Sequence, residues 1–250
     1  MEITSVNNEL VKNYAKLLQK KYRNESGKFI LEGYKTIKEA YDFGIKIEKL
    51  FVEKSHIKEF DFFNGEIIET NPAILKKISD TETPPIAVGI GIQKEYSSEI
   101  LKNKQKVILL ENIKDAGNLG TIIRSAVAFG ADGIILYGDC VDLYNPKCVR
   151  STVGNLWKLP IIHIKNIAEL KKHFDKFARI ATLPRTNNLL KSYKLKTSSI
   201  IMFGSEADGL SQELINYSTD TLKIEMKDNV ESLNLATSVS VIMYKLFLQL

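Results

Sequence analysis

Short, almost wholly apolar runs recur through the second half of this 250-residue chain, at 107–110, 133–136, 159–164, 179–183, 200–203 and 221–226. They restrict the fold more than any other feature. Runs of this length and uniformity suit strands covered on both faces, and hence a mostly parallel sheet flanked by helices. Helical or loop segments separate them. Leu119, Ile122, Ile123, Ala126 and Val127 fall on one face of a helix read over 119–129, which makes 107–136 a βαβ unit.

The first ninety residues read differently, as a smaller unit of mixed type. A helix is expected over 11–18, where Val11, Tyr14, Ala15 and Leu18 recur at spacings of three and four. Strands are expected at 28–31, 47–52, 66–69 and 86–92, with helices through Ile37, Ala40 and Tyr41 and over 72–78. Thr83-Pro84-Pro85 interrupts the pattern, because proline cannot donate to a ladder. A polar stretch follows, giving expected domains at 1–95 and 106–250 joined by a linker at 96–105.

Composition excludes several classes. A hydrophobic fraction of 44% is that of a globular protein rather than a disordered one. No apolar run approaches bilayer length and the opening residues lack a signal-peptide pattern, so a cytoplasmic protein without membrane association is expected. Two cysteines, Cys140 and Cys148, are too few for a disulfide framework and read as reduced thiols. His56, His163 and His173 form no ligand pair, and no metal is expected.

The formal net charge is +5, and its distribution is uneven. Eight basic residues stand against Glu25 and Glu32 between Leu10 and Lys38. Among them, Lys12, Lys16, Lys20, Lys21, Arg23 and Lys28 are the expected phosphate-tracking set, with a plain solvated helix face as the equal alternative. Tyr14 and Tyr22 interleave with these cations, and unpaired RNA bases stack on such rings.

Three glycine-marked or polar turns stand where apolar runs stop, the position at which open α/β sheets hold ligands. The first is Gly117-Asn118-Leu119-Gly120 leading to Arg124, which points away from the helix's apolar face. A cation near a helix start calls for an anionic partner, whereas Asn118 can serve as a local cap. The second is Gly204-Ser205-Glu206 through Gly209, where Gly204 permits close backbone approach and Glu206 can cap a helix, contact a bound cation or pair with Arg124. The third follows Ile224-Glu225-Met226: a polar Asp228-Asn229 loop, then Ser232 as N-cap of the last helix, with Asn234 in its first turn. None of these is a Walker A loop, a dinucleotide fingerprint or part of a catalytic triad.

In this order, Asn118 through Arg124, Phe203 through Leu210, and Ile224 through Met226 followed by Glu231-Ser232-Leu233-Asn234 closely resemble the three motifs of the SpoU (TrmH-like) RNA 2′-O-ribose methyltransferases. Asn145-Pro146-Lys147 and Arg150 through Gly154 resemble that family's intervening segment. Thr4-Ser5, Leu10-Val11-Lys12, Phe29 through Gly33 and Thr81 through Pro84 are similar to the substrate-binding domain that precedes many members. The segment departs from the common pattern at Ser151-Thr152 and Asn155, and the interdomain turn departs at Pro85.

The resemblance implies an α/β fold whose C-terminal domain is a trefoil-knotted, mostly parallel sheet flanked by helices. A small α/β/α domain like RNA-binding ribosomal proteins would precede it. It further implies a homodimer that binds S-adenosylmethionine at Gly204, Ile224 and Leu233, largely through backbone groups. Asn118, Arg124, Glu206, Ser232 and Asn234 would form the catalytic neighbourhood. The expected substrate is ribosomal RNA, with transfer RNA methylation and non-catalytic RNA binding as the alternatives.

Overall fold

The computed structural model describes residues 1–195, 198–227 and 232–248. Asp228-Asn229, read above as a polar loop, and Glu231 lie outside the described residues. The chain divides into two compact units, Met1–Lys94 with Asp142–Trp157, and Glu95–Val141 with Lys158–Leu250.

In the first unit, α1 (Glu9–Ala15) passes through a 3-10 turn, Lys16–Leu18, into α2 (Lys20–Ser26). There follow β1 (Lys28–Glu32), α3 (Tyr34–Asp42), β2 (Ile47–Glu53), β3 (Glu66–Thr70), α4 (Pro72–Lys77) and β4 (Ala87–Ile92). The sheet order is β1-β4-β2-β3, antiparallel at β4 and parallel between β2 and β3. Its core gathers Val11, Tyr14, Leu17, Ile30, Phe51, Ile68, Ile74 and Val88. Helix α2, which the apolar pattern did not announce, starts without a side-chain cap and ends on Gly27 in the left-handed conformation, where glycine carries no penalty.

The second unit opens with β5 (Lys106–Glu111), α5 (Ala116–Ala128) and β6 (Gly133–Tyr137). The chain then contributes α6 (Pro146–Ser151) to the first unit, although 142–157 was expected within the second domain. Arg150 of α6 bridges Glu32 and Asp80 there, and Trp157 lies against Phe29 with ring centroids 5.5 Å apart. Returning to the second unit come β7 (Ile161–Ile164), α7 (Ile167–Phe174), β8 (Ala178–Thr182), β9 (Ser199–Phe203), α8 (Gln212–Tyr217), β10 (Asp220–Leu222) and α9 (Leu235–Phe247).

These strands form a wholly parallel sheet in the order β10-β8-β9-β5-β6-β7. The central strands β5, β6 and β9 are buried almost end to end, which is the burial their uninterrupted apolar sequences require. The run at 221–226 yields only the three-residue β10: it pairs with β8 as far as Leu222, after which a single bridge from Lys223 to Leu189 follows. Among the described residues no helix is long and apolar enough to cross a membrane. No group of three or more His, Cys, Asp or Glu side chains there is placed to hold a metal ion.

Candidate active site

Strands β5 and β9 are parallel neighbours, so the segments that follow them emerge side by side at the carboxyl edge of the sheet. From β5 the chain enters α5, and from β9 it enters the Gly204 turn. Strand order changes direction here, with the chain moving from β5 to β6 on one side and returning through β8 and β9 on the other. Such switch points are where open α/β sheets form ligand crevices.

The cap of α5 is Asp115, whose side chain accepts the Asn118 N–H at 2.7 Å. This corrects the reading of Asn118 as a cap: it sits in the first turn with its amide free for other partners. That amide joins the three turns. Asn118 Nδ2 donates to Glu206 Oε1 at 2.7 Å, and Asn234 Nδ2 donates to Asn118 Oδ1 at 3.1 Å. Asn234 Oδ1 in turn accepts the Thr237 N–H at 3.3 Å, so it is Asn234, not Ser232, that caps α9. The helix begins where its apolar face, Ala236, Val239, Ile242 and Met243, starts to be buried.

Each amide orientation in this chain follows from the next. The backbone donor at Thr237 fixes Asn234 Oδ1 as acceptor, which leaves Nδ2 to donate to Asn118 and Asn118 Nδ2 to donate to Glu206. The N-terminal ends of two thirteen-residue helices, α5 and α9, are therefore joined through Asn118, which carries the link on to the Glu206 carboxylate. Their dipoles favour negative charge at that place.

Glu206 owes its position to a tight loop. Ser205 and Gly209 exchange both backbone hydrogen bonds at 3.1 Å, the Asp208 N–H donates to Ser205 Oγ, and Gly209 takes a φ of +70°. The loop folds back so closely that a Cβ on Gly204 would lie 1.8 Å from the Gly209 carbonyl carbon and 2.0 Å from the Leu210 nitrogen. The close approach expected at Gly204 is thus made, in this structure, by the chain's own backbone.

Arg124 is exposed on α5, beside Thr121 and Ala128, and makes no ion pair among the described residues. It is the ninth residue of the helix rather than one near its start, roughly 9 Å along the axis from Asn118. At that depth the helix dipole no longer calls for an anionic partner, and what distinguishes Arg124 is an exposed guanidinium with no ion pair among the described residues. Ser232 and Leu233 are exposed and Ile224 half-buried, none of them joined to the Asn118–Glu206–Asn234 chain. Sequence reasoning missed Asp115, although an aspartate three residues before Asn118 is an ordinary capping signal.

The expected RNA-facing set is corrected at Arg23. Its side chain is 1% exposed, bonded to Asp142 Oδ2 at 2.6 Å and to the Leu17 carbonyl at 2.7 Å. Lys28 is half-buried and paired with Glu48, while Lys12, Lys16, Lys20 and Lys21 are exposed. Tyr14 is buried edge-on to Phe51 and donates to Glu48, which removes it as a stacking surface. Tyr22 remains half-exposed, with Lys16 and Lys21 near its ring.

The sequence matches the family model described as SpoU rRNA Methylase over residues 105–244, and an MRM3-like substrate binding domain over residues 8–89. It is 31% identical to an uncharacterised tRNA/rRNA methyltransferase of Synechocystis, across 97% of this chain and 92% of that protein. It is 28% identical to the 23S rRNA (guanosine(2553)-2′-O)-methyltransferase RlmP of Bacillus subtilis, across 98% of both. The fold superposes on the AdoMet-bound rRNA methyltransferase of Sinorhizobium meliloti with a TM-score of 0.88 at 28% identity, covering 98% of this chain and 96% of that one. With a family model spanning more than half of its residues, the chain belongs to the SpoU rRNA methylase family.

Proposed function

We propose that this methyltransferase transfers a methyl group from S-adenosylmethionine to a ribose 2′-hydroxyl of ribosomal RNA. The observation that carries the reading is the hydrogen-bonded chain Glu206–Asn118–Asn234, which gathers one polar side chain from each of the three turns at the carboxyl edge. The activities named for the Bacillus subtilis and Sinorhizobium meliloti relatives support it.

The residues present fit the cofactor. After β10 the segment Ile224, Glu225 and Met226 makes no backbone hydrogen bond among the described residues, and its peptide groups are the proposed partners of the edge of a purine. Leu233 is 37% exposed and offers apolar contact. Gly204, Ile224 and Leu233 are the proposed holding residues. Bound S-adenosylmethionine supplies a methyl group already activated by a sulfonium.

What the chain must add is alignment and management of charge and of one proton. Arg124 holds the phosphate beside the target ribose and stabilises the developing alkoxide. A guanidinium is not deprotonated in proteins, so the proton passes to the phosphate or to water. Glu206, fixed by Asn118 and Asn234, orients the ribose for in-line attack. Ser232, relieved of capping, faces it.

Residues 1–95 supply RNA binding and 106–250 the transfer. Lys12, Lys16, Lys20 and Lys21 are the exposed cations of the first region. A trefoil knot in the second is proposed from its membership of the SpoU rRNA methylase family. A homodimer is supported by an apolar stripe on α9, with Val241, Tyr244 and Leu248 exposed at spacings of three and four. The cytoplasm is the proposed location. Mass spectrometry of ribosomal RNA from cells with and without the protein tests the reading: one 2′-O-methylated nucleotide should vanish with the protein. Loss of a transfer RNA methylation with ribosomal RNA unchanged would reassign the substrate.

A further inference from the structure

Paired and unpaired cations occur in both units; Lys102, Lys114 and Arg179 of the second unit each lie within ion-pair distance of a carboxylate. Of the basic residues between Lys12 and Lys28, Lys12, Lys21, Arg23 and Lys28 all sit within ion-pair distance of a carboxylate. At the carboxyl edge of the parallel sheet, Arg185 and Lys191 are exposed, and neither makes an ion pair among the described residues.

Both belong to the segment that follows β8, and that segment is firmly held. The Leu183 N–H donates to the Leu222 carbonyl at 2.9 Å, Lys223 N–H to the Asn188 carbonyl at 3.0 Å, and Leu190 N–H to the Lys223 carbonyl at 2.9 Å. The Thr186 and Thr221 hydroxyls meet at 2.6 Å. Asp220 accepts from Asn188 Nδ2 at 2.7 Å and from the Tyr193 hydroxyl at 2.8 Å. Burial and that carboxylate push the Tyr193 phenol well above its ordinary range, so it stays a donor. Glu225 accepts the Lys191 N–H. The acids bonded to this segment therefore take neutral donors, and the charges of Arg185 and Lys191 remain available on a preorganised backbone.

An exposed arginine with no ion pair among the described residues, carried on a segment held at Leu183, Asn188 and Leu190, is suited to bidentate contact with a phosphate. The strand that precedes it, β8, is separated from β5 by β9 alone, so the ends of β8 and β5 stand roughly 10 Å apart. We propose that Arg185, supported by Lys191, binds a phosphate of the RNA strand next to the nucleotide being methylated, as a second backbone contact beside that of Arg124. This assignment rests on the RNA methyltransferase reading.

The test uses the full chain and Arg185→Ala, Arg185→Lys and the double variant Arg185→Ala/Lys191→Ala. Fluorescence anisotropy follows binding of end-labelled ribosomal RNA fragments, taken from cells lacking the protein, across a salt series. Arg185→Ala should weaken binding about tenfold, with Arg185→Lys intermediate and the double variant weaker still. The salt slope should fall by roughly 0.7–0.9 for each phosphate that is no longer neutralised. Affinity for S-adenosylmethionine by calorimetry and the thermal midpoint should not move. Wild-type RNA affinity and slope in Arg185→Ala would overturn the proposal, as would a loss confined to S-adenosylmethionine binding. Weakened RNA binding alongside a wild type that transfers no methyl group would sink the enzymatic reading and leave the phosphate contact standing.

Discussion

Asn118 donates from Nδ2 to Glu206 Oε1 at 2.7 Å across 88 positions of sequence, and the same amide accepts from Asn234 through Oδ1. One side chain thus fixes the geometry of two others, each delivered by a different turn. Removing it frees Glu206 to rotate and leaves the Asn234 amide without that acceptor. Asn118→Ala should lower methyl transfer on the order of a hundredfold, the scale of a small misplacement of reacting groups. Stability should fall by only about 1 kcal/mol, as for one hydrogen bond. Single-turnover assays beside urea denaturation would separate the two effects, and turnover equal to the wild type would remove the amide chain from the mechanism.

Gly204 and Gly209 stand at the two ends of one loop and should respond differently to the same change. A methyl group on Gly204 collides with the backbone of Gly209 and Leu210, neither of which can move without opening the loop. Gly204→Ala should cost about 3 kcal/mol and abolish cofactor binding by calorimetry. At Gly209 nothing lies within 4 Å of the added Cβ and only its φ of +70° opposes substitution, a cost of about 1–2 kcal/mol. Equal destabilisation by the two variants would contradict the steric account.

Arg23 and Lys20 are three residues apart, yet one is buried against Asp142 and the other exposed. Arg23→Ala leaves the largely buried Asp142 carboxylate without its partner and should destabilise by about 3–5 kcal/mol. Lys20→Ala should stay within about 0.5 kcal/mol and act on RNA affinity alone. A drop in RNA binding by an Arg23→Ala protein of wild-type stability would restore Arg23 to the RNA-facing set.

The contrast between these two residues also shows how far the sequence could be read. The strand at 107–110 was legible because an even apolar run has few other fates; the structure extends it by one residue at each end, to Lys106–Glu111. The resemblance to the SpoU motifs brought Asn118, Glu206 and Asn234 together before any geometry was known. It did not show that Asn234 caps α9, because Ser232 is an equally good capping residue and only the start of burial at Ala236 decides between them. Charge counting placed Arg23 with the lysines, since its partner Asp142 lies 119 positions away and no local pattern points to it. The return of 142–157 to the first unit was hidden for the same reason.

Arg124 makes no ion pair among the described residues, and its removal should leave the fold intact. Arg124→Ala should retain S-adenosylmethionine affinity and the thermal midpoint while losing about a hundredfold or more in transfer rate. Calorimetry and a methyl-transfer time course on the same preparation check this, and a rate within a factor of two of the wild type would strike Arg124 from the site.

The most direct test of the whole account follows a tritiated methyl group from S-adenosylmethionine into ribosomal RNA lacking the modification, with alkaline hydrolysis of the product. A 2′-O-methyl group blocks cleavage of the adjoining linkage, so label should appear in alkali-resistant dinucleotides. Label recovered wholly in mononucleotides would mean that a base receives the methyl group and would contradict ribose methylation.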